Sequence, residues 1–422
     1  MSEGWHSSSG LPIPPPDYLF KLVIRVYLLT YKLLIVSAIP VYKINEAYYT
    51  LDLWLKDLDA QLRVISELCL VCPVLSTQKI LDPDLRLVPS SIRIVNKKIL
   101  NTKVDYQELV HLYDVTQIAA NRPFWLSGVE RKIYKNAHAA NICCIAGISS
   151  NRARTTILNA KHKSVLKIIK SWIIYFSINF SIHYFTKRSD GIFLVGSGLL
   201  KLINPKHTNI FVNTASWISD VELIKQSDFS NKVLGINNRD NLRICVAARL
   251  EHMKGVHVAL DALKIIKEKV GGGVPKLLIL GEGEELEALK AQALDSGLDN
   301  DVLFGGVKSY PDEFFNTIRE YDLMLLTNLN DEQPRLVFDS ISQGVIPICP
   351  NSDQFKALDL DGFVYYKRGS AAALAEKVLQ FMLFQNIPEL SENLHKVAAT
   401  NTIDTMHKFR SEWIKETIIN VS

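Results

Sequence analysis

The chain has 422 residues, enough for two domains at about 150 residues each, and its 48% hydrophobic and 22% charged content excludes a disordered polypeptide. With 48 basic and 44 acidic residues the net charge is only +4, which excludes the strongly basic balance of a nucleic-acid binder. Six cysteines, Cys69, Cys72, Cys143, Cys144, Cys245 and Cys349, all lie in apolar runs and read as buried thiols in a reducing compartment; the CxxC at Cys69 and Cys72 lacks the second pair of a zinc site.

Residues 1–16 read as a Pro/Ser tail without the basic-then-apolar order of a signal peptide, and Asp17 to Tyr31 as a short helix. The apolar run from Leu19 to Val41 is interrupted by Lys21, Arg25 and Lys32, so no membrane-spanning helix is predicted there. KLLIVSAI, from Lys32 to Ile39, reads as a buried strand. A βα succession follows: a helix at Tyr48 to Leu62, strands near Val64 to Val74 and Leu85 to Val95, a helix from Tyr106 to Ala119, and a strand at Ala140 to Ile148.

From about Lys161 to Tyr184 the pattern is helical, with Lys163, Lys167 and Lys170 on one face and Val165, Leu166, Ile169, Trp172, Ile173 and Phe176 on another. The second half, SWIIYFSINFSIHYF, is apolar yet too short to span a bilayer. A helix packed on the sheet is expected; an interfacial helix at 161–185, lying against anionic lipid, stays open. Strands at Gly191 to Ser197 and His207 to Asn213 complete a first domain at 32–230, and Ser230 to Asp240 reads as a polar linker.

A second domain, at 231–401, alternates again: a strand ending at Ala248, a helix from Gly255 to Lys269, strands at Leu277 to Leu280 and Val302 to Phe304 around a helix at Glu284 to Ser296, a helix at Tyr310 to Glu320, strands at Asp322 to Leu326 and Val345 to Cys349, and a helix from Ser370. A last amphipathic helix is expected within 402–422. Two doubly wound, Rossmann-like α/β domains in series imply a central cleft between the carboxyl ends of two sheets, where ligands bind in this architecture.

Two motifs carry chemistry. Arg249 and Lys254 stand five residues apart in AARLEHMKGVHVAL, between a strand and a helix, where a guanidinium fork and an ammonium can neutralise one diphosphate. Asn330 to Ile348, NDEQPRLVFDSISQGVIPI, places Asp331 and Asp339 eight residues apart and sets the amides of Leu336 and Val337 at a helix start, an anion seat flanked by acids.

The order strand, R-L-x3-K-G, helix, strand, G-E-G at Gly281 to Gly283, helix, F-G-G at Phe304 to Gly306, then D-x7-D and G-x2-P, resembles the C-terminal domain of family 4 glycosyltransferases over about Leu242 to Leu379. The resemblance implies the GT-B fold, a retaining mechanism with the departing phosphate as base, and a nucleotide-diphosphate sugar as co-substrate with neither cofactor nor metal. It implies that Arg249 and Lys254 bind the donor diphosphate together with the amides near Leu336 and Val337, and that Val307 and Lys308 lie near the base. Asp331 would face the donor sugar and Asp339 the ribose. The family's motif normally has two Glu, so a register with Glu332 as the donor-side acid is also open. In the first domain Gly147 and Gly196 are candidates to line the acceptor side of the cleft.

The function expected is transfer of a sugar to a glycan or lipid-linked acceptor in cell-surface polysaccharide synthesis, in the cytoplasm or at the inner face of the plasma membrane. A catalytically impaired binding or scaffold protein on the same fold is the alternative.

Overall fold

The computed structural model describes residues 30–77, 85–100, 106–160, 164–237, 242–271, 273–330, 335–356, 358, 360, 364–383 and 387–421. The expected N-terminal tail, all but the end of the helix expected at Asp17 to Tyr31, and Lys161 and Lys163 lie outside the described residues, as does the end of the expected linker.

Among the described residues two parallel sheets form the frame. The first runs, in spatial order, Ile210–Asn213, Gly191–Val195, Cys143–Ile148, Val115–Ala119, Lys32–Val36, Glu67–Cys72 and Ile92–Asn96. The second runs Val302–Gly306, Lys276–Leu280, Arg243–Ala247, Leu323–Leu325, Ile346–Pro350 and Tyr365–Tyr366. Runs such as ELCLVC and IPICP are buried nearly end to end, as strands covered on both faces must be. Cys69 and Cys72, three apart on one strand, point into opposite layers, so they cannot meet in a redox pair or on one ion. All six thiols are free and buried; burial raises Cys69 to about 11 and Cys72 to about 12.

Three expectations shift. The expected helix at Tyr48 to Leu62 begins only at Asp52, because Ala47–Leu51 pairs antiparallel with Val41–Ile44 around a turn in which Asn45 takes φ +54°, and joins a small mixed sheet with Val74–Ser76 and Leu85–Leu87. The expected helix from Tyr106 to Ala119 stops at His111; Val115–Ala119 is a central strand, hydrogen-bonded on both sides. The expected linker is largely the helix Gln226–Asn237, whose Phe229 ring stacks on His395 at 4.7 Å. The crossing lies earlier, near residues 214–225: Ile218 is already in the second domain's core, and its carbonyl accepts from the Ile403 amide at 2.8 Å.

At Ile403 the chain crosses back. The final helix Ile403–Val421 packs on the first sheet, where Ile414 and Ile418 share a core with Leu33, Leu58, Leu68 and Leu70. Burial of such side chains contributes about 1.5–3 kcal/mol each.

The helix Val165–Thr186 is half embedded. Ile178, Ile182 and Phe185 sit in the first domain's core, whereas Leu166, Ile169, Trp172, Ile173, Phe176 and Phe180 are exposed. It is therefore neither wholly packed on the sheet nor wholly free. At 22 residues it is, by length and composition, long and apolar enough to cross a membrane, against the expectation of too short a segment. Its embedded half fixes it to the first domain.

Candidate functional site

The strand order of the second sheet reverses between Arg243–Ala247 and Leu323–Leu325, and the loops leaving these two strands meet there. The 248–255 loop is clamped from both sides. Thr327 Oγ1 donates to the Lys254 carbonyl at 2.6 Å, and the Leu329 amide to the Met253 carbonyl at 2.9 Å. On the other flank the Leu250 amide donates to the Glu282 carbonyl at 2.8 Å. Gly255 takes φ +65°, and a Cβ on it would stand 2.3 Å from the Thr327 carbonyl oxygen, so glycine is what allows this approach. Arg249 extends from the loop with 73% of its side chain exposed, bridged to Glu251 at 2.9 Å, and Lys254 ends the short turn His252–Lys254 half-buried.

Asp331 and Glu332 lie outside the described residues. Asn330, just before them, is buried, and its Nδ2 donates to Thr155 Oγ1 of the first domain at 3.1 Å, tying the two halves at the head of the acidic motif. Asp339 is 1% exposed on the helix Leu336–Ser342; its carboxylate accepts from Arg335 Nε at 3.2 Å and from the Tyr310 hydroxyl at 3.3 Å. Burial raises its pKa, with Arg335 opposing. Instead of standing open for a ribose, this acid anchors Arg335, whose guanidinium lies 4.8 Å from the Tyr310 ring centre and 5.2 Å from that of Trp217. The amides of Leu336 and Val337 precede the first helical bonds, which run from Phe338 and Asp339 to the Arg335 carbonyl. Both of their side chains turn at least partly into the core.

Val307 is exposed, and Lys308 pairs with Glu313 at 2.9 Å. The Ser309 amide, with Lys308 and the Ser309 hydroxyl, holds Glu313 down at about 2. Gly196, at φ +96°, sits where the domains touch: the neighbouring Gly198 amide donates to Gln354 Oε1 at 2.6 Å. Gly147 lies instead along a pocket of the first domain.

That pocket, of about 650 Å³, opens at the carboxyl ends of the first sheet, between the loops after Lys32–Val36 and Val115–Ala119 where its strand order reverses, and Arg335 reaches it from the second domain. The final helix supplies part of its lining. His407 Nε2 bonds Asp57 Oδ1 at 2.9 Å, and Arg410 donates to Gln117 Oε1 at 2.5 Å. Burial alone would raise Asp57, but the hydrogen bond and charge of His407, with Arg410 and Gln61, outweigh it and hold the carboxylate below its ordinary value. Sequence reading missed His407 and Arg410. The only trace of them is a pair of polar residues, three apart, on the buried stripe of an amphipathic helix far along the chain.

Three potential metal ligands also converge: single ligand atoms of His252, His257 and Glu285 lie within 4.8 Å of one another. The two rings stack at 5.0 Å and 7°, so their in-plane lone pairs do not converge on one ion as arranged.

Residues 226–400 match the family described as Glycosyl transferases group 1. A curated relative, the alpha-monoglucosyldiacylglycerol synthase of Streptococcus pneumoniae, is 24% identical over 180 residues, 42% of this chain and 40% of its own length. The match thus spans well under half of that relative. Among solved structures, Anabaena HepE in complex with UDP superposes at TM-score 0.61 with 16% identity, over 91% of this chain and 100% of that one. WaaG, a glycosyltransferase involved in lipopolysaccharide biosynthesis, superposes at 0.58 with 9% identity, over 90% and 98%. The chain has the GT-B fold, and the second domain is the part that the group 1 glycosyl transferase model matches.

Proposed function

Starting from that domain, we propose that the protein transfers a sugar, with retention, from a nucleotide-diphosphate sugar to a glycan or lipid-linked acceptor. The clamped loop that holds Arg249 and Lys254 against the segment leading to Asp331 carries the reading. The two cations neutralise the diphosphate as its charge develops on departure, which serves the end a metal would serve. Asp331 is assigned as the donor-side acid from the sequence motif alone, and the leaving phosphate takes the acceptor's proton. The HepE complexes with UDP and with UDP-glucose favour a uridine donor by analogy.

A lipid-linked acceptor is favoured by the glycolipid named for the pneumococcal relative and by the exposed stripe of Val165–Thr186. There Leu166, Ile169, Trp172, Ile173 and Phe176 stand beside the exposed Lys167 and Lys170, a composition suited to an anionic membrane surface. On this reading the enzyme works in the cytoplasm, peripheral to the plasma membrane.

Calorimetry with UDP and UDP-glucose tests the donor seat. Arg249→Ala and Lys254→Ala are each expected to weaken UDP binding by about 1.5–3 kcal/mol. Unchanged affinity in both removes the seat, and binding without turnover on any acceptor favours a non-catalytic protein.

A further inference from the structure

The pocket on the first sheet carries more positive charge than its own acids balance. Arg122, Arg152, Arg335 and Arg410 line it, against the single carboxylate of Asp57. Two of these cations are committed elsewhere: Arg335 to Asp339, and Arg122 to Glu130 at 2.5 Å. Glu130 is shared with Lys97 at 2.8 Å, so that trio keeps a net positive charge.

Arg410 differs in kind. It is 4% exposed, yet neither of its direct hydrogen-bond partners is a carboxylate: they are the Gln117 amide oxygen and, at 3.5 Å, His407 Nδ1. Its guanidinium lies 4.7 Å from the Phe193 ring centre, and its Nε, fully buried, has no partner. The nearest balancing carboxylate, Asp57, bonds to His407 and to Gln61 instead. A buried cation with an unused donor and no carboxylate in contact is costly unless an anion completes it. A planar fork at the bottom of a cleft suits a carboxylate or a phosphate.

We propose that this pocket takes an acceptor bearing an anionic group, a phosphate or a carboxylate, with Arg410 as its deep anchor and Arg152 at its rim. The inference rests on the reading of the second domain as the donor side, which leaves this pocket to the acceptor.

The test loads the full-length protein with saturating UDP and titrates methyl phosphate, glucuronate and neutral glucose by calorimetry at low salt. At least one anion is expected to bind, glucose much more weakly, and added salt to reduce the anion's affinity. Whether methyl phosphate or glucuronate binds tells the two sources of negative charge apart. Arg410→Gln is expected to weaken the anion about tenfold to a hundredfold, while UDP affinity stays unchanged. Should that variant fail to fold, Arg410→Lys, which keeps the charge without the fork, and the exposed Arg152→Gln are each expected to weaken it severalfold. The proposal is overturned if neither anion binds the UDP-loaded protein, or if the folded variants keep wild-type anion affinity. Absence of UDP binding in the wild type would count against the donor seat alone.

Discussion

At the residue scale the features that sequence exposes are those set by neighbours in the chain. Arg249, Lys254 and Gly255 occupy one loop, and the positive φ and close approach at Gly255 follow from that loop's contact with Thr327. Arg410 and Asp57 are more than three hundred residues apart in sequence, and only packing joins them through His407. Asp57 makes that join measurable. Because its folded-state pKa lies below the unfolded value of about 3.9, its contribution to stability is fully present above that value and is lost as pH falls through the lower, folded one. Asp57→Asn is therefore expected to destabilise the protein near neutrality, with the wild-type advantage shrinking below about pH 4. Urea midpoints of both proteins across pH check this; a constant difference would mean that Asp57 acts through shape rather than charge.

Elements were legible where periodicity is long and unmixed. The helices Val256–Val270 and Asp312–Arg319 and five strands of the second domain fall within a few residues of their expected places, whereas the short edge strand Tyr365–Tyr366 was not expected. The strand Val115–Ala119 was absorbed into an expected helix because five residues, four of them apolar or β-branched, directly after a helical turn do not reveal their period. Asn45, suited to a left-handed turn, was the overlooked sign of the hairpin before Asp52. The helix Val165–Thr186 hid its division, since both halves are apolar and only tertiary contact separates them. That division predicts opposite outcomes for two changes. Ile182→Ala, in the core, is expected to cost about 2–5 kcal/mol of stability. The double change Trp172→Ser with Phe176→Ser is expected to leave the melting temperature nearly unchanged and to reduce co-sedimentation with phosphatidylglycerol vesicles severalfold. Equal vesicle binding by the double variant would remove the membrane contact.

For the whole molecule, the two-domain GT-B frame could be read from the βα alternation and the motif order. The way the domains interlock could not, because nothing local marks the final helix as belonging to the first domain. Deleting residues 403–421 is expected to expose the layer formed by Leu33, Leu58 and Leu68, so that limited proteolysis cuts the first domain while 226–400 resists. Equal protection of both domains would show that the helix is dispensable. The same return of the chain sets an order of events during synthesis. Even the last strand of the first domain leaves the ribosome roughly ten to forty seconds, at about 5–20 residues per second, before the helix that covers one face and brings Arg410. Until then that face stays open and the pocket on the first sheet lacks His407 and Arg410, so a nascent chain can complete its second domain before the lining of the first domain's pocket is whole.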